Sequence, residues 1–193
     1  MNINNKKTLQ IFTIGHSNHS FEDLSSILME FNIQIVADIR RYPSSRKFPH
    51  FNREVLSNLL SRENIEYLWF EALGGRRHNA QNNKSPNTGL KSIGFRNYAD
   101  YMSTDQFQTA AQKLLSAAVK VKTAIMCAEK FYWKCHRRLL SDYLTAQGIE
   151  VLHIIEADKI IAHKLTTGAV ITNDSTVIYP LPESNQTQIL FDP

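Results

Sequence analysis

Residues 126–138, MCAEKFYWKCHRR, hold two cysteines, a glutamate, a histidine, three aromatics and four basic residues in thirteen positions. A thiolate is a nucleophile, a carboxylate or imidazole beside it can move its proton, and arginine's planar fork holds phosphate or carboxylate oxygens. Cys127 is read here as the nucleophile, with Glu129 or His136 as the acid/base. Cys135 falls at a predicted helix N-terminus, where the dipole favours a thiolate. Ordinary readings stand beside these. Cys127 closes an apolar run and packs well as a small hydrophobe. Cys135 shares a helical face with Leu139, and His136 suits a solvated first turn. Arg138 and Asp142 have the spacing of a surface ion pair. Cys127, Cys135, His136 and His16 could supply four metal ligands. Seven residues separate the cysteines, however, and Cys135 and His136 are adjacent, which argues against zinc. A redox pair would favour C-x-x-C. No cofactor is expected.

These residues must be positioned by strands and helices. LQIFTIG (9–15) reads as a buried strand and Ser20 as a helix cap, with Glu22 and Asp23 in the first turn. Phe21, Leu24, Ile27, Leu28 and Phe31 then share one helical face. IQIVADIR (33–40) is a second strand, FNREVLSNLLSREN a second helix and IEYLWF (65–70) a third strand. Residues 95–121 read as two helical pieces broken near Ser103–Asp105. KTAIMCAE (122–129) is a fourth strand, CHRRLLSDYLTAQ a helix stopped by Gly148, and IEVLHII (149–155) a fifth strand. Alternating strands and helices predict an α/β fold: three layers, with a mainly parallel five-strand sheet flanked by helices. Residues 1–160 form this domain. Residues 161–193 are a C-terminal extension, with a small hairpin turning at Asn173–Asp174 and a terminal peptide.

The chain has 193 residues, enough to bury a core without disulfides. Apolar residues are 42% and charged residues 21%, ordinary for a globular protein. No apolar run is long enough to span a membrane, and no secretory signal is evident, so no membrane partner and a cytoplasmic location are expected. A net charge of +4 leans toward anionic partners.

In an open α/β sheet, ligands bind beyond the carboxyl ends of the strands. The first strand delivers Gly15, His16 and Ser17 there. The second delivers Asp38 and Arg40, followed by Arg41, Ser44 and Arg46. The third leads to Gly74, Gly75, Arg76 and Arg77, the fourth to Cys127 and Glu129 and on to Cys135, His136 and Arg137. The fifth ends near His153. Arg40, Arg46, Arg76 and Arg137 are candidate anion holders, Asp38 an orienting group. The polar stretch 74–94 is long for a connector and is expected to close over the site, with Arg76 or Arg77 turned inward.

TIGHS, VADIRRYPSSRKFPHF, YLWFEALGG, FRNYADYM, MCAE, CHRRLLSDYL and GIEVLHI, in that order, resemble the domain-of-unknown-function 488 family from about residue 11 to 155. Asp38-Ile39-Arg40 stands for the family's usual D-V-R, and Phe131-Tyr132-Trp133 for a segment that often contains proline. The resemblance implies an α/β fold and a shared pocket of Gly15, His16, Ser17, Asp38, Arg40, Pro43, Ser44, Arg46, Gly74, Gly75, Cys127, Glu129, Cys135, His136 and Arg137. It supplies no reaction.

The expectation is a hydrolase or transferase acting on a phosphorylated, nucleotide or nucleic-acid substrate. The alternatives are a non-catalytic nucleic-acid-binding or DNA-repair-associated module, or an adaptor. The tail QTQILF (186–191) resembles the short peptides that dock on the bacterial sliding clamp, through Gln186, Ile189 and Phe191. An apolar C-terminus that folds back on its own domain is the plainer reading.

Overall fold

The computed structural model describes residues 8–77 and 85–182. The tail peptide and His78 lie outside them, as does the middle of the 74–94 stretch. The sheet has six strands in the order β3-β2-β4-β1-β5-β6. These are β1 (Gln10–Gly15), β2 (Ile35–Asp38), β3 (Glu66–Trp69), β4 (Thr123–Cys127), β5 (Glu150–Glu156) and β6 (Lys159–Ala162). The first five run parallel, and β6 returns antiparallel to β5. The sequence reading expects five strands. It passes over β6 because KIIA is short, lies mostly exposed at the sheet edge and shows no alternation.

Five helices cover the sheet: α1 (Phe21–Glu30), α2 (Arg53–Arg62), α3 (Ile93–Met102), α4 (Asp105–Ala118) and α5 (Arg137–Ala146). The Ser20 hydroxyl accepts from the Asp23 amide, and the Asp23 carboxylate accepts from the Ser20 amide, so α1 is capped reciprocally. Gly148, at φ +78°, takes the left-handed conformation that ends α5. A small hairpin, β7 (Val170–Ile171) with β8 (Val177–Ile178), turns at Asn173–Asp174.

Side chains alternate along a strand, and the core divides accordingly. Leu24, Ile27 and Leu28 of α1 and Leu56 and Leu60 of α2 pack on Phe12, Ile14, Val36, Ala124 and Met126. Tyr98, Phe107, Leu114, Leu139 and Leu140 of α3–α5 pack on Ile11, Ala37, Ile125, Cys127 and Val151. β4 and β1 are neighbours. The chain leaves β1 toward α1 on one face and leaves β4 toward α5 on the other. In open α/β sheets, ligands commonly bind where neighbouring connections part in this way.

Candidate functional site

Gly15 and Cys127 are register partners at the carboxyl ends of β1 and β4. The two loops stay zipped past the strand ends: the His16 amide donates to the Cys127 carbonyl at 2.8 Å and the Ser17 amide to the Ala128 carbonyl at 2.9 Å. Ser17 sits at φ 49°, a left-handed turn that redirects the chain toward α1. β2 is the other neighbour of β4, with Asp38 opposite Met126. Gly15–Ser17, Asp38–Arg40 and Cys127–Glu129 therefore share one sheet edge.

The pleat splits them between two faces. Asp38 and His16 fall on the α1/α2 face. Arg40 Nε donates to both Asp38 oxygens at 2.9 and 3.0 Å, and the Tyr67 hydroxyl donates to Asp38 Oδ2 at 2.6 Å. The Arg40 amide adds a bond to Oδ1 at 2.9 Å. Arg40 Nη1 reaches His16 Nε2 at 3.2 Å, and His16 Nδ1 reaches the Ser17 carbonyl at 3.1 Å. A guanidinium only donates and a carbonyl only accepts. His16 is therefore the neutral Nδ1–H tautomer, stacked on Phe51 at 3.9 Å. Burial first, then the Arg40 charge, pushes its pKa down to about 3. Burial also acts against the Arg40 charge, but the hydrogen bonds and charge of Asp38 outweigh it and raise the pKa.

The thiols lie on the α3–α5 face. Cys127 Sγ and Cys135 Sγ are 2.9 Å apart, and both cysteines are free. The sequence spacing argues against such a pair; a tight turn through the 3₁₀ segment Tyr132–Lys134 brings them together. Cys127 could also donate to the Glu129 carbonyl at 3.7 Å, but that oxygen already accepts Arg137 Nη2 at 2.6 Å. The sulfur–sulfur contact is the shorter of the two, and either sulfur could donate across it. Burial, then donation to Cys135, holds the Cys127 thiol well above its ordinary pKa. The S–H from Cys127 holds Cys135 well below its own; His136 and Arg137 add to this, and burial opposes it. His136 Nδ1 lies 3.4 Å from Cys135 Sγ, and the Arg137 amide points at the same sulfur from 3.5 Å. A Cβ on Gly75 would lie 2.5 Å from His136 Nδ1, so only glycine lets the ring lie against this backbone.

Arg137 is 1% exposed, among the most buried large side chains. Its Nη2 donates to the Glu129 and Lys130 carbonyls at 2.6 and 3.0 Å, and Nη1 to Thr13 Oγ1 at 3.4 Å. No carboxylate pairs with it among the described residues. Arg40 and Arg137, offered by the sequence as anion holders, are both buried, because each is clamped by partners at the sheet edge rather than held out to solvent. Ser44, Arg46, Arg76 and Glu129 are exposed, and Gly74 is buried against the Arg41 backbone. Arg77 donates to the Glu71, Ala72 and Gly74 carbonyls and lies over Tyr101, so it braces its own loop rather than facing the thiols.

A second polar chain continues from Arg137, and sequence reasoning missed it. Thr13 Oγ1 meets His153 Nδ1 at 2.7 Å, His153 Nε2 meets His163 Nδ1 at 2.9 Å, and His163 Nε2 meets Asp142 Oδ1 at 2.8 Å. Asp142 also accepts from the Thr166 amide and the Tyr179 hydroxyl. The expected Arg138–Asp142 surface pair therefore does not form: Asp142 points inward, and Arg138 lies over Phe95. With Asp142 ionised, one arrangement satisfies every atom: each histidine donates from Nε2 and Thr13 donates to His153. Burial, then His163, pushes the His153 pKa down to about 2. The only signal in the sequence is a histidine inside an otherwise apolar strand.

One cavity of about 130 Å³ lies beside Asn87, Asp100 and Val177, and another of about 410 Å³ beside Trp69, Glu71 and Lys113. Neither is lined by the thiols. Among the described residues, no group of three or more His, Cys, Asp and Glu is arranged to hold a metal ion.

The model of the family described as Domain of unknown function DUF488 matches residues 20–144. The chain belongs to this family. The match spans α1 to α5 and includes Asp38, Arg40, both cysteines, His136 and Arg137. No curated protein and no solved structure matches the chain. Among the described residues, no helix of this DUF488 protein is long and apolar enough to cross a membrane.

Proposed function

We propose that this DUF488 protein is a thiol-dependent enzyme acting on a nucleotide or nucleic-acid substrate at the β1–β4 crevice. The observation that carries the reading is Arg137, a buried cation without a carboxylate partner among the described residues, beside a thiol pair. A buried charge calls for a counter-charge, and here it can be a thiolate or an anionic substrate. Cys135 takes the nucleophile's role that the sequence reading gives to Cys127, because the Arg137 amide points at its sulfur and His136 Nδ1 lies 3.4 Å from it.

The loop before Cys135 suits a base. Phe131 and Trp133 stack at 4.6 Å, and the Lys130 and Lys134 ammonium groups each lie 5.8 Å from the Phe131 ring. Trp133 is 42% exposed. Aromatic platforms beside cations bind bases and backbone together. Arg46 and Arg76 are the exposed guanidinium groups left to meet phosphate, whereas Arg40 is committed to Asp38. Asp38 acts indirectly, holding the guanidinium that orients His16. In the reaction, the Cys135 sulfur bonds to the electrophilic atom and the leaving group departs with a proton from His136 or Glu129. Water or an acceptor hydroxyl then displaces the sulfur.

The rival reading, a nucleic-acid-binding module without catalysis, draws on the burial of both cysteines, 2% and 7% exposed. Titration with a mononucleotide and a single-stranded oligonucleotide, read by tryptophan fluorescence at low salt, tests both. Trp133→Ala is expected to weaken binding ~10-fold, from a stacking contribution of ~1–3 kcal/mol per base. Cys135→Ser should bind normally but lose turnover. Binding without turnover in the unaltered protein selects the module; no binding removes both. The tail proposal, clamp docking through Gln186, Ile189 and Phe191, is tested separately with the last dozen residues as a peptide and a Phe191→Ala control.

A further inference from the structure

We infer that Cys127 and Cys135 form a redox-active dithiol, closed to a disulfide by hydrogen peroxide and reopened by a small thiol reductant. The inference does not depend on which substrate the crevice takes. Its basis is the juxtaposition of two free sulfurs at 2.9 Å, against a bonded separation of ~2.05 Å. Cys135 is the attacking sulfur. It lies 2.9 Å from the Cys127 sulfur, the Arg137 amide points at it, and the Arg137 guanidinium supplies nearby positive charge. It is also the more exposed of the two, at 7% against 2%, which suits a reagent as small as peroxide.

The steps balance. The Cys135 thiolate attacks one peroxide oxygen, an S–O bond forms, the O–O bond breaks, and the second oxygen leaves as hydroxide and becomes water on taking a proton. Cys135 is then a sulfenic acid. Cys127 gives up its proton and attacks that sulfur, and the S–O bond breaks with loss of a second water. Two thiols and one peroxide thus become one disulfide and two waters, with two electrons passing from sulfur to oxygen. Two molecules of a monothiol, or one dithiol such as dithiothreitol, return those electrons by exchange. His136 Nδ1 lies 3.4 Å from Cys135 Sγ, and the hydroxide leaving that sulfur takes up the proton that Cys127 releases.

The test uses the full chain, reduced, exposed to hydrogen peroxide, then denatured in iodoacetamide and weighed intact. The expected product has lost two hydrogen atoms, carries no alkyl group on either cysteine, is monomeric, and reverts with dithiothreitol. In Cys127→Ser, Cys135 should stop at the sulfenic acid and be trapped by dimedone. In Cys135→Ser, Cys127 should react at least ~10-fold more slowly, since each unit of raised pKa costs tenfold in thiolate. Two alkylated cysteines after peroxide treatment, a sulfinic acid without disulfide, or a disulfide between chains would overturn the inference. Because the wild-type measurement needs no nucleotide, its outcome is separate from that of the binding titration.

Discussion

Gly15→Ala is the most direct probe of how the site is built. A Cβ at this position would lie 1.9 Å from the Glu129 carbonyl oxygen, 2.6 Å from its carbon and 2.8 Å from Lys130 Cα. All three are backbone atoms, so no rotamer change relieves the clash. The oxygen would have to retreat by about 1.5 Å to reach ordinary contact. That motion draws the Glu129 and Lys130 carbonyls away from Arg137 Nη2, which holds them at 2.6 and 3.0 Å. Overpacking costs ~1–3 kcal/mol and each hydrogen bond from a charged donor contributes ~1.5–3 kcal/mol. With water replacing part of the loss in this exposed loop, the expected destabilisation is ~3–5 kcal/mol. Urea unfolding followed by circular dichroism measures it. Gly148→Ala is the control: nothing lies within 4 Å of its added Cβ, so only the strain of φ +78° acts, for a cost of ~1 kcal/mol. If Gly15→Ala costs no more than this control, the loop is not held against β1 as described, and the argument that Arg137 clamps it fails.

Further outcomes follow from the same geometry. Asp38→Asn removes the charge partner of a buried guanidinium and is expected to cost ~3–5 kcal/mol, whereas Tyr67→Phe, which removes one hydrogen bond to the same carboxylate, should cost ~1 kcal/mol; chemical denaturation ranks them, and equal effects would refute the assignment. The folded pKa of His16, about 3, lies below its ordinary 6.5, so the unfolded chain binds the extra proton between those values. Its contribution is intact above pH 6.5 and is lost as pH falls toward 3, by at most ~1.4 kcal/mol per pH unit. His153 acts in the same direction. His16→Phe should flatten the stability–pH curve by one proton's worth between pH 7 and 5; an unchanged slope would show that His16 is not held neutral. Asp142→Asn should unfasten the His163, Thr166 and Tyr179 ties, seen as faster amide exchange across residues 163–179 before global unfolding; unchanged exchange there would mean the chain of histidines carries no anchoring load.

Much of this protein is legible in its sequence, for local reasons. Helix starts and stops announce themselves through Ser20 with Asp23 and through Gly148, and buried parallel strands through short apolar runs such as FTIG and AIMC. Strand-end reasoning brings Gly15, Asp38 and Cys127 to one edge, because parallel strands all end there. What spacing could not tell is which face each residue takes. A one-residue change in strand register reverses the face, and the register of β2, β4 and β1 is set by pairing between distant segments. It places Asp38 with His16 and Arg40 on the α1/α2 side, and Cys127 with Cys135 on the other. The contact of the two sulfurs depends on a turn whose path is held by Arg137, and Arg137's burial depends on Thr13 and the crossing loop, more than a hundred positions apart in the chain. The Thr13–His153–His163–Asp142 chain joins β1, the β5–β6 hairpin and α5, which only the fold brings together. Local propensity reads neighbours along the chain, whereas hydrogen-bond partners and exposure are properties of neighbours in space, and for this site only the packed fold decides them.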